Sequence, residues 1–166
     1  MKPQVLIVIG SDSDIPVMEK AGEILKELGI SYTITVASAH RTPERTIRLA
    51  SEAEEKGIEV IIAGAGMAAH LAGILASHTI LPVIGVPIDS SPLNGLDSLL
   101  STVQMPPGVP VAAMAIGKAG AKNAAILSAR IIGRKDSEVA KKLKEYKKKM
   151  AEEVEKKARA LKDYKE

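Results

Sequence analysis

The sequence predicts an α/β domain: a three-layer α/β/α sandwich on a five-stranded parallel sheet, followed by one long C-terminal helix. Three observations predict it. Short apolar runs alternate five times with stretches of helical spacing, and strands apolar on both faces need helices on both faces, as parallel strands with crossover connections provide. The length, 166 residues of which 46% are hydrophobic, suits one core rather than two. From Asp136 onward the pattern is helical to the end of the chain.

VLIVIG (5–10) reads as the first strand, and in the helix after it Met18, Ala21, Leu25 and Leu28 recur at helical spacing until Gly29 stops it. YTITVA (32–37) is the second strand, followed by a helix from Pro43 to Lys56 that ends at Gly57. EVIIAG (59–64) is the third, with an alanine-rich helix over Ala68–Ser77. PVIGVP (82–87) is the fourth, with a shorter helix over Leu96–Val103, and VPVAAMAI (109–116) is the fifth, with a helix over Asn123–Ile132. This is a flavodoxin-like succession, in which ligands gather outside the carboxyl ends of the strands. In the tail, Val139, Leu143, Tyr146, Met150, Val154 and Leu161 form one stripe. A helix of about 30 residues runs some 45 Å at about 1.5 Å per residue, longer than a small sheet is wide. Part of it is expected to rest on a neighbouring subunit, although packing on its own chain also yields such a stripe.

Composition removes several function classes. Without cysteine there is no disulfide framework, no thiolate nucleophile and no Cys-ligated zinc. No apolar run approaches the roughly 20 residues of a membrane span, and the opening MKPQVLIVIG shows no cleavable signal pattern, so a cytoplasmic protein is expected. The net charge of +3 lies wholly in the tail: residues 1–135 hold 12 basic and 12 acidic side chains, and residues 136–166 hold 11 and 8. With no Phe or Trp and three tyrosines, the chain lacks the stacking platforms of a nucleic-acid surface.

Three βα loops carry residues with chemistry. Gly10-Ser11-Asp12-Ser13-Asp14 follows the first strand and opens a helix, where hydroxyls and free N–H groups suit a phosphate and a carboxylate suits a sugar hydroxyl. An ordinary cap in which Ser and Asp bond their own backbone is the alternative. Ser38-Ala39-His40-Arg41-Thr42-Pro43 follows the second strand, with Thr42 as N-cap and Pro43 as first helical residue. Arg41 can grip a phosphate bidentately, and His40, read as the only histidine on a βα loop, can take and return a proton near neutral pH. Gly64-Ala65-Gly66-Met67-Ala68-Ala69-His70 follows the third strand and matches a dinucleotide fingerprint, but that fingerprint belongs at the first βα turn of a larger sheet. Small residues here let a ligand or a neighbouring helix approach the backbone. His70 and His78 are read as lying within the apolar helix. A phospho-receiver, suggested by Asp12, Asp14 and Lys118, fails because the third strand ends in AGAG without a phosphorylatable aspartate. No P-loop, GxSxG elbow, HExxH or clustered metal-ligand pattern is present, which favours chemistry without a metal.

Taken together and in order, GSDSD, SAHRTP, AGAGMAAHLAG, PVIGVP, GLDSLLSTVQMP, GVPVA and KNAAILSARI resemble the PurE family of purine biosynthesis along residues 5–132. AGAG-x-AAHL is similar to the class I branch, the N(5)-carboxyaminoimidazole ribonucleotide mutases. The resemblance implies a ribonucleotide substrate, 5-carboxyamino-1-(5-phosphoribosyl)imidazole, whose carboxylate moves from nitrogen to ring carbon 4 with no metal or organic cofactor. It implies that His40 and His70 are catalytic, and that Ser11, Asp14, Ser38, Arg41, Ala65, Gly66, Ala69 and Leu71 bind substrate. It also implies a homo-oligomer, an octamer with sites at subunit contacts. On this reading residues 1–135 are the nucleotide-binding catalytic domain and 136–166 a helical extension toward a neighbouring subunit. The expected chemistry is loss of the N-carboxylate as carbon dioxide, its capture by carbon 4 in an apolar pocket built from Ala65–Leu71, and proton relay by His40. Met67 and Ala72 depart from the family's usual glycine and proline and bear on the shape of that wall.

Overall fold

Strand β1 (Val5–Ile9) is buried along its whole length, and its side chains divide between two cores. Val5, Ile7 and Ile9 face one cluster while Leu6 and Val8 face the other. That period-two division is what a central strand covered on both faces must show. The structure, a computed structural model, describes residues 2–162. The sheet order is β2-β1-β3-β4-β5, all parallel, with β2 at Tyr32–Val36, β3 at Val60–Gly66, β4 at Val83–Ile88 and β5 at Ala112–Ala113. This is the expected α/β, flavodoxin-like sandwich.

Helices α1 (Ile15–Glu27) and α5 (Lys118–Ile132) cover one face, through Met18, Ala21, Leu25, Ala121, Ala124, Ala125 and Ala129. Helices α2 (Pro43–Ser51) and α3 (Leu71–Ser77) cover the other, through Ala50, Leu71, Ala72 and Leu75. Helix α4 (Leu96–Val103) lies against β4, where Gly85 makes room for Thr102, Val111 and Ala72. Helix α6 (Ser137–Lys162) adds Val139, Leu143 and Tyr146 to the α1/α5 core, and farther along Met150, Val154 and Leu161 are exposed. The last four positions of the expected tail helix lie outside the described residues.

Four boundaries differ from expectation, each for a local reason. Helix α2 stops at Ser51, because Glu52–Gly57 continues as i→i+3 turns that tuck Ala53 into the core and reverse the chain at Gly57, φ +84°. Helix α3 begins at Leu71 instead of Ala68. Strand β5 keeps two ladder residues, although the chain still bonds β4 farther on, with Met114 N–H donating to Gly85 O at 2.8 Å and Gly117 N–H to Pro87 O at 2.8 Å. Helix α5 starts five residues before Asn123, because its first turn contains Gly120, which packs where a Cβ would strike Ala115 O.

Candidate active site

The sheet order reverses between β1 and β3, since β1 is followed by β2 on one side and by β3 on the other. A crevice at the carboxyl ends is the consequence. Here it is a cleft of 590 Å³, walled by the loops after β1, β2, β3 and β4, a size that takes a small-molecule ligand.

The first loop forms a single 3-10 turn, Asp12–Asp14, capped by Ser11. The Ser11 hydroxyl accepts the Ser13 N–H at 3.4 Å, and the Asp14 carboxylate accepts the Ser11 N–H at 3.2 Å. Both residues therefore shape the turn without any ligand. Asp14 is buried, and burial pushes its carboxyl above the ordinary range, against the lowering effect of the Ser11 N–H and the Ser13 hydroxyl.

The second loop is held by Thr42 and Ser38 together. Thr42 is the N-cap of α2 by position, as expected, but its hydroxyl does not cap the helix: it accepts the Ser38 N–H at 2.9 Å and donates to Ser38 O at 3.1 Å. The Ser38 hydroxyl accepts the Arg41 N–H at 3.2 Å. This tight turn aims the Arg41 guanidinium toward the first loop, where Nη2 reaches Gly10 O at 3.4 Å and Nε reaches Ser38 Oγ at 3.5 Å. Both bonds are at the long limit, so most of the donor capacity of Arg41 is uncommitted.

In the third loop Met67 takes φ +54°, Ala69 N–H donates to Met67 O and His70 N–H to Ala68 O. These i+2→i turns delay α3 to Leu71 and leave His70 at its N-cap. His70 is therefore on a βα loop, correcting the reading that placed it inside the helix and left His40 as the only loop histidine. The correction matters, because His40 Nε2 and His70 Nδ1 meet at 2.6 Å, with ring centroids 4.8 Å apart and planes inclined at 73°. A hydrogen bond at that distance has one ring donating and the other accepting. When both are neutral, one outer nitrogen is a bare base and the other carries a proton, and exchanging tautomers exchanges those roles.

Ser11, Asp14, Ser38, His40, Arg41, Ala65, Gly66, His70 and Leu71 all line the cleft. Ala69 does not; its side chain is buried against the protein. His78 caps the far end of α3 and Lys118 opens α5, both outside the cleft. Sequence reasoning missed Ser90, whose signal was its place two residues beyond β4 on the ligand-bearing rim. Among the described residues no group of three His, Asp or Glu side chains is placed to hold a metal ion, and no helix is long and apolar enough to cross a membrane.

Known proteins resemble the chain along nearly its full length. It is 62% identical to the N5-carboxyaminoimidazole ribonucleotide mutase of Pyrococcus horikoshii over 162 residues, covering 98% of this chain and 90% of that protein. It is 63% identical to the protein of the same name from Thermotoga maritima over 159 residues, covering 96% and 92%, and 50% identical to that of Escherichia coli K12 over 151 residues, covering 91% and 89%. The crystal structure of Treponema denticola PurE superposes with a TM-score of 0.87 at 32% identity, covering 96% of this chain and 99% of that one. The family model described as AIR carboxylase matches residues 4–153. On the sequence match, the superposition and the motifs that converge on the cleft, the chain belongs to the AIR carboxylase, or PurE, family.

Proposed function

We propose that this chain is an N5-carboxyaminoimidazole ribonucleotide mutase of purine biosynthesis, working without a metal or organic cofactor in the cytoplasm. The observation that carries the reading is the cleft's arrangement: an uncommitted guanidinium over the first two loops and a hydrogen-bonded imidazole pair beside it. The names of the relatives at 50–63% identity support the same activity.

In this reading Arg41, with Ser11 and Ser38, holds the phosphate, and Asp14 accepts from the ribose. The heterocycle then lies toward β3, against the imidazole pair. The N–carboxylate bond breaks with its electrons left on nitrogen, which takes a proton from the pair as carbon dioxide departs. Ring carbon 4 attacks the carbon dioxide and gives up its own proton to the pair. Protons and electrons balance, so no co-reactant is consumed. Ala65, Gly66, Ala68 and Leu71 provide an apolar wall that keeps the released molecule beside the ring, which lowers the entropic cost of recombination.

The assembly of this reading is a homo-octamer. It is supported by exposed apolar side chains in three places: Tyr32, Ile34 and Val36 on edge strand β2, Leu96, Leu100 and Val103 on α4, and Met150 and Val154 on α6. Light scattering on the purified protein tests it, and a monomer in dilute solution refutes it.

The deciding experiment offers the carboxyamino substrate in one reaction and aminoimidazole ribonucleotide with bicarbonate in another, following formation of the ring-4 carboxylate. Turnover of the first without dependence on bicarbonate is expected. Turnover only of the second refutes the mutase branch, and turnover of neither, with nucleotide still bound, refutes catalysis.

A further inference from the structure

We propose that Ser90 is a further substrate-binding residue, its hydroxyl donating to the carboxylate carried on ring carbon 4. The inference rests on the functional reading above and adds a contact at the opposite end of the ligand from the phosphate.

The cleft has two chemically distinct halves. The groups assigned to the phosphate, Ser11, Ser38 and Arg41, belong to the loops after β1 and β2. Strand β4 lies two strand spacings from β1, roughly 10 Å. A nucleotide anchored by its phosphate over β1 and β2 therefore extends its heterocycle toward β3 and β4. There the lining is Ala65, Gly66, Met67, Ala68 and Leu71, with polar side chains only from the two histidines and Ser90. The histidines handle the proton. A carboxylate formed on the ring in that half needs a donor, and Ser90 is the side chain that remains.

Two details separate Ser90 from an ordinary surface serine. Its neighbours are already engaged: the Ser91 hydroxyl accepts the Leu93 N–H at 3.1 Å, and the buried Ser98 hydroxyl donates to Ile88 O at 3.0 Å and Gly95 O at 2.9 Å. No hydrogen bond joins the Ser90 hydroxyl to another described residue. The second detail is Gly66, at the end of β3 opposite Ile88. A Cβ there would collide with Ser90 Oγ and come within 3.1 Å of Ile88 O. Glycine at 66 is thus what allows the Ser90 hydroxyl to lean over the end of β3 into the cleft.

Calorimetric titration with 5-amino-1-(5-phosphoribosyl)imidazole-4-carboxylate and with its decarboxylated counterpart tests the assignment. Ser90→Ala should weaken the carboxylated nucleotide about tenfold, as for one hydrogen bond to a charged group, and leave the decarboxylated one within about twofold by the same standard. Unchanged affinity for the latter also shows that the variant is folded. Ser90→Thr, which keeps the hydroxyl, should retain both affinities. Equal losses on both nucleotides, or none on either, overturn the assignment while the functional reading stands. Failure of the unaltered protein to bind either nucleotide overturns both.

Discussion

Replacing Arg41 by Met keeps the aliphatic stem and removes the guanidinium, so it separates the anchor from the fold. Only two weak bonds, at 3.4 and 3.5 Å, tie the exposed guanidinium to the protein. Their loss should cost less than about 0.5 kcal/mol of stability and move Tm by under roughly 2 °C for a domain of this size. A phosphate, by contrast, loses a charge-assisted partner worth about 1.5–3 kcal/mol, which is a weakening of about 10- to 150-fold. The same contact exists in substrate and transition state, so KM should rise and kcat should hold within a few-fold. The assay is calorimetric binding of the nucleotide and of its dephosphorylated nucleoside to both proteins. Arg41→Met should weaken the nucleotide alone, and the affinity of the variant should fall less steeply with added salt. Equal weakening of the nucleoside, or a nucleotide Kd within threefold of the original, would refute the placement of the phosphate at this loop.

The remaining predictions concern the imidazole pair, the buried acid and the strained loop. His40→Asn should leave nucleotide affinity within a few-fold and lower kcat by at least the roughly 10²–10⁴-fold of lost acid–base catalysis; His70→Ala should keep KM while lowering kcat, because it removes the ring that His40 Nε2 meets at 2.6 Å. An unchanged kcat for His70→Ala in steady-state assays would count against a joint role of the two rings. Asp14 has its carboxyl raised by burial, so the folded state holds that proton more tightly than the unfolded chain, and stability falls as pH rises from about 4 through the raised value. Asp14→Asn should therefore gain Tm relative to the original protein at pH 7 more than at pH 4, while binding nucleotide less tightly; a relative loss at pH 7 would contradict this sign. At Met67, φ +54° costs a side-chain-bearing residue roughly 1–2 kcal/mol, of which glycine returns about 0.5–1 kcal/mol through the unfolded chain. Met67→Gly should then match or exceed the original Tm and exceed Met67→Ala, which keeps the strained backbone, and thermal unfolding of the three proteins reads the order directly.

The sheet was legible because β1, β3 and β4 are continuous apolar runs bounded by glycine, proline or serine, and a strand buried on both faces has no other appearance in sequence. Strand β5 was overextended for the complementary reason: VPVAAMAI has the composition of a strand, but only Ala112 and Ala113 find ladder partners beside β4. Composition reports what a segment can bury, whereas the ladder depends on a neighbour that the segment does not contain. The early end of α2 has the same origin, since its 3.6-residue pattern runs on past Ser51 while Ala53 is drawn into the core by Ile58, whose N–H bonds Ala53 O at 3.0 Å.

For the site the limit lay in a single dihedral angle. Sequence order alone brings the loops after β1, β2 and β3 to one rim, and so brings Ser11, Asp14, Ser38, Arg41 and His40 near one another. His70 was read into a helix because Ala68 and Ala69 are good helix formers, and within a helix it would have been aimed by helical geometry. The left-handed turn at Met67 overrides that preference, holds residues 67–70 out of the helix and delivers the His70 ring to 2.6 Å from His40. A methionine gives no sign of such a turn, because bulky residues rarely adopt it; a glycine at 67 would have announced it. The strain at this position and the contact between two imidazoles thirty residues apart in sequence are thus two aspects of one loop conformation. If Met67→Gly frees the loop enough to separate the rings, the variant should gain stability and lose kcat together, a combination that ordinary loss of packing does not produce.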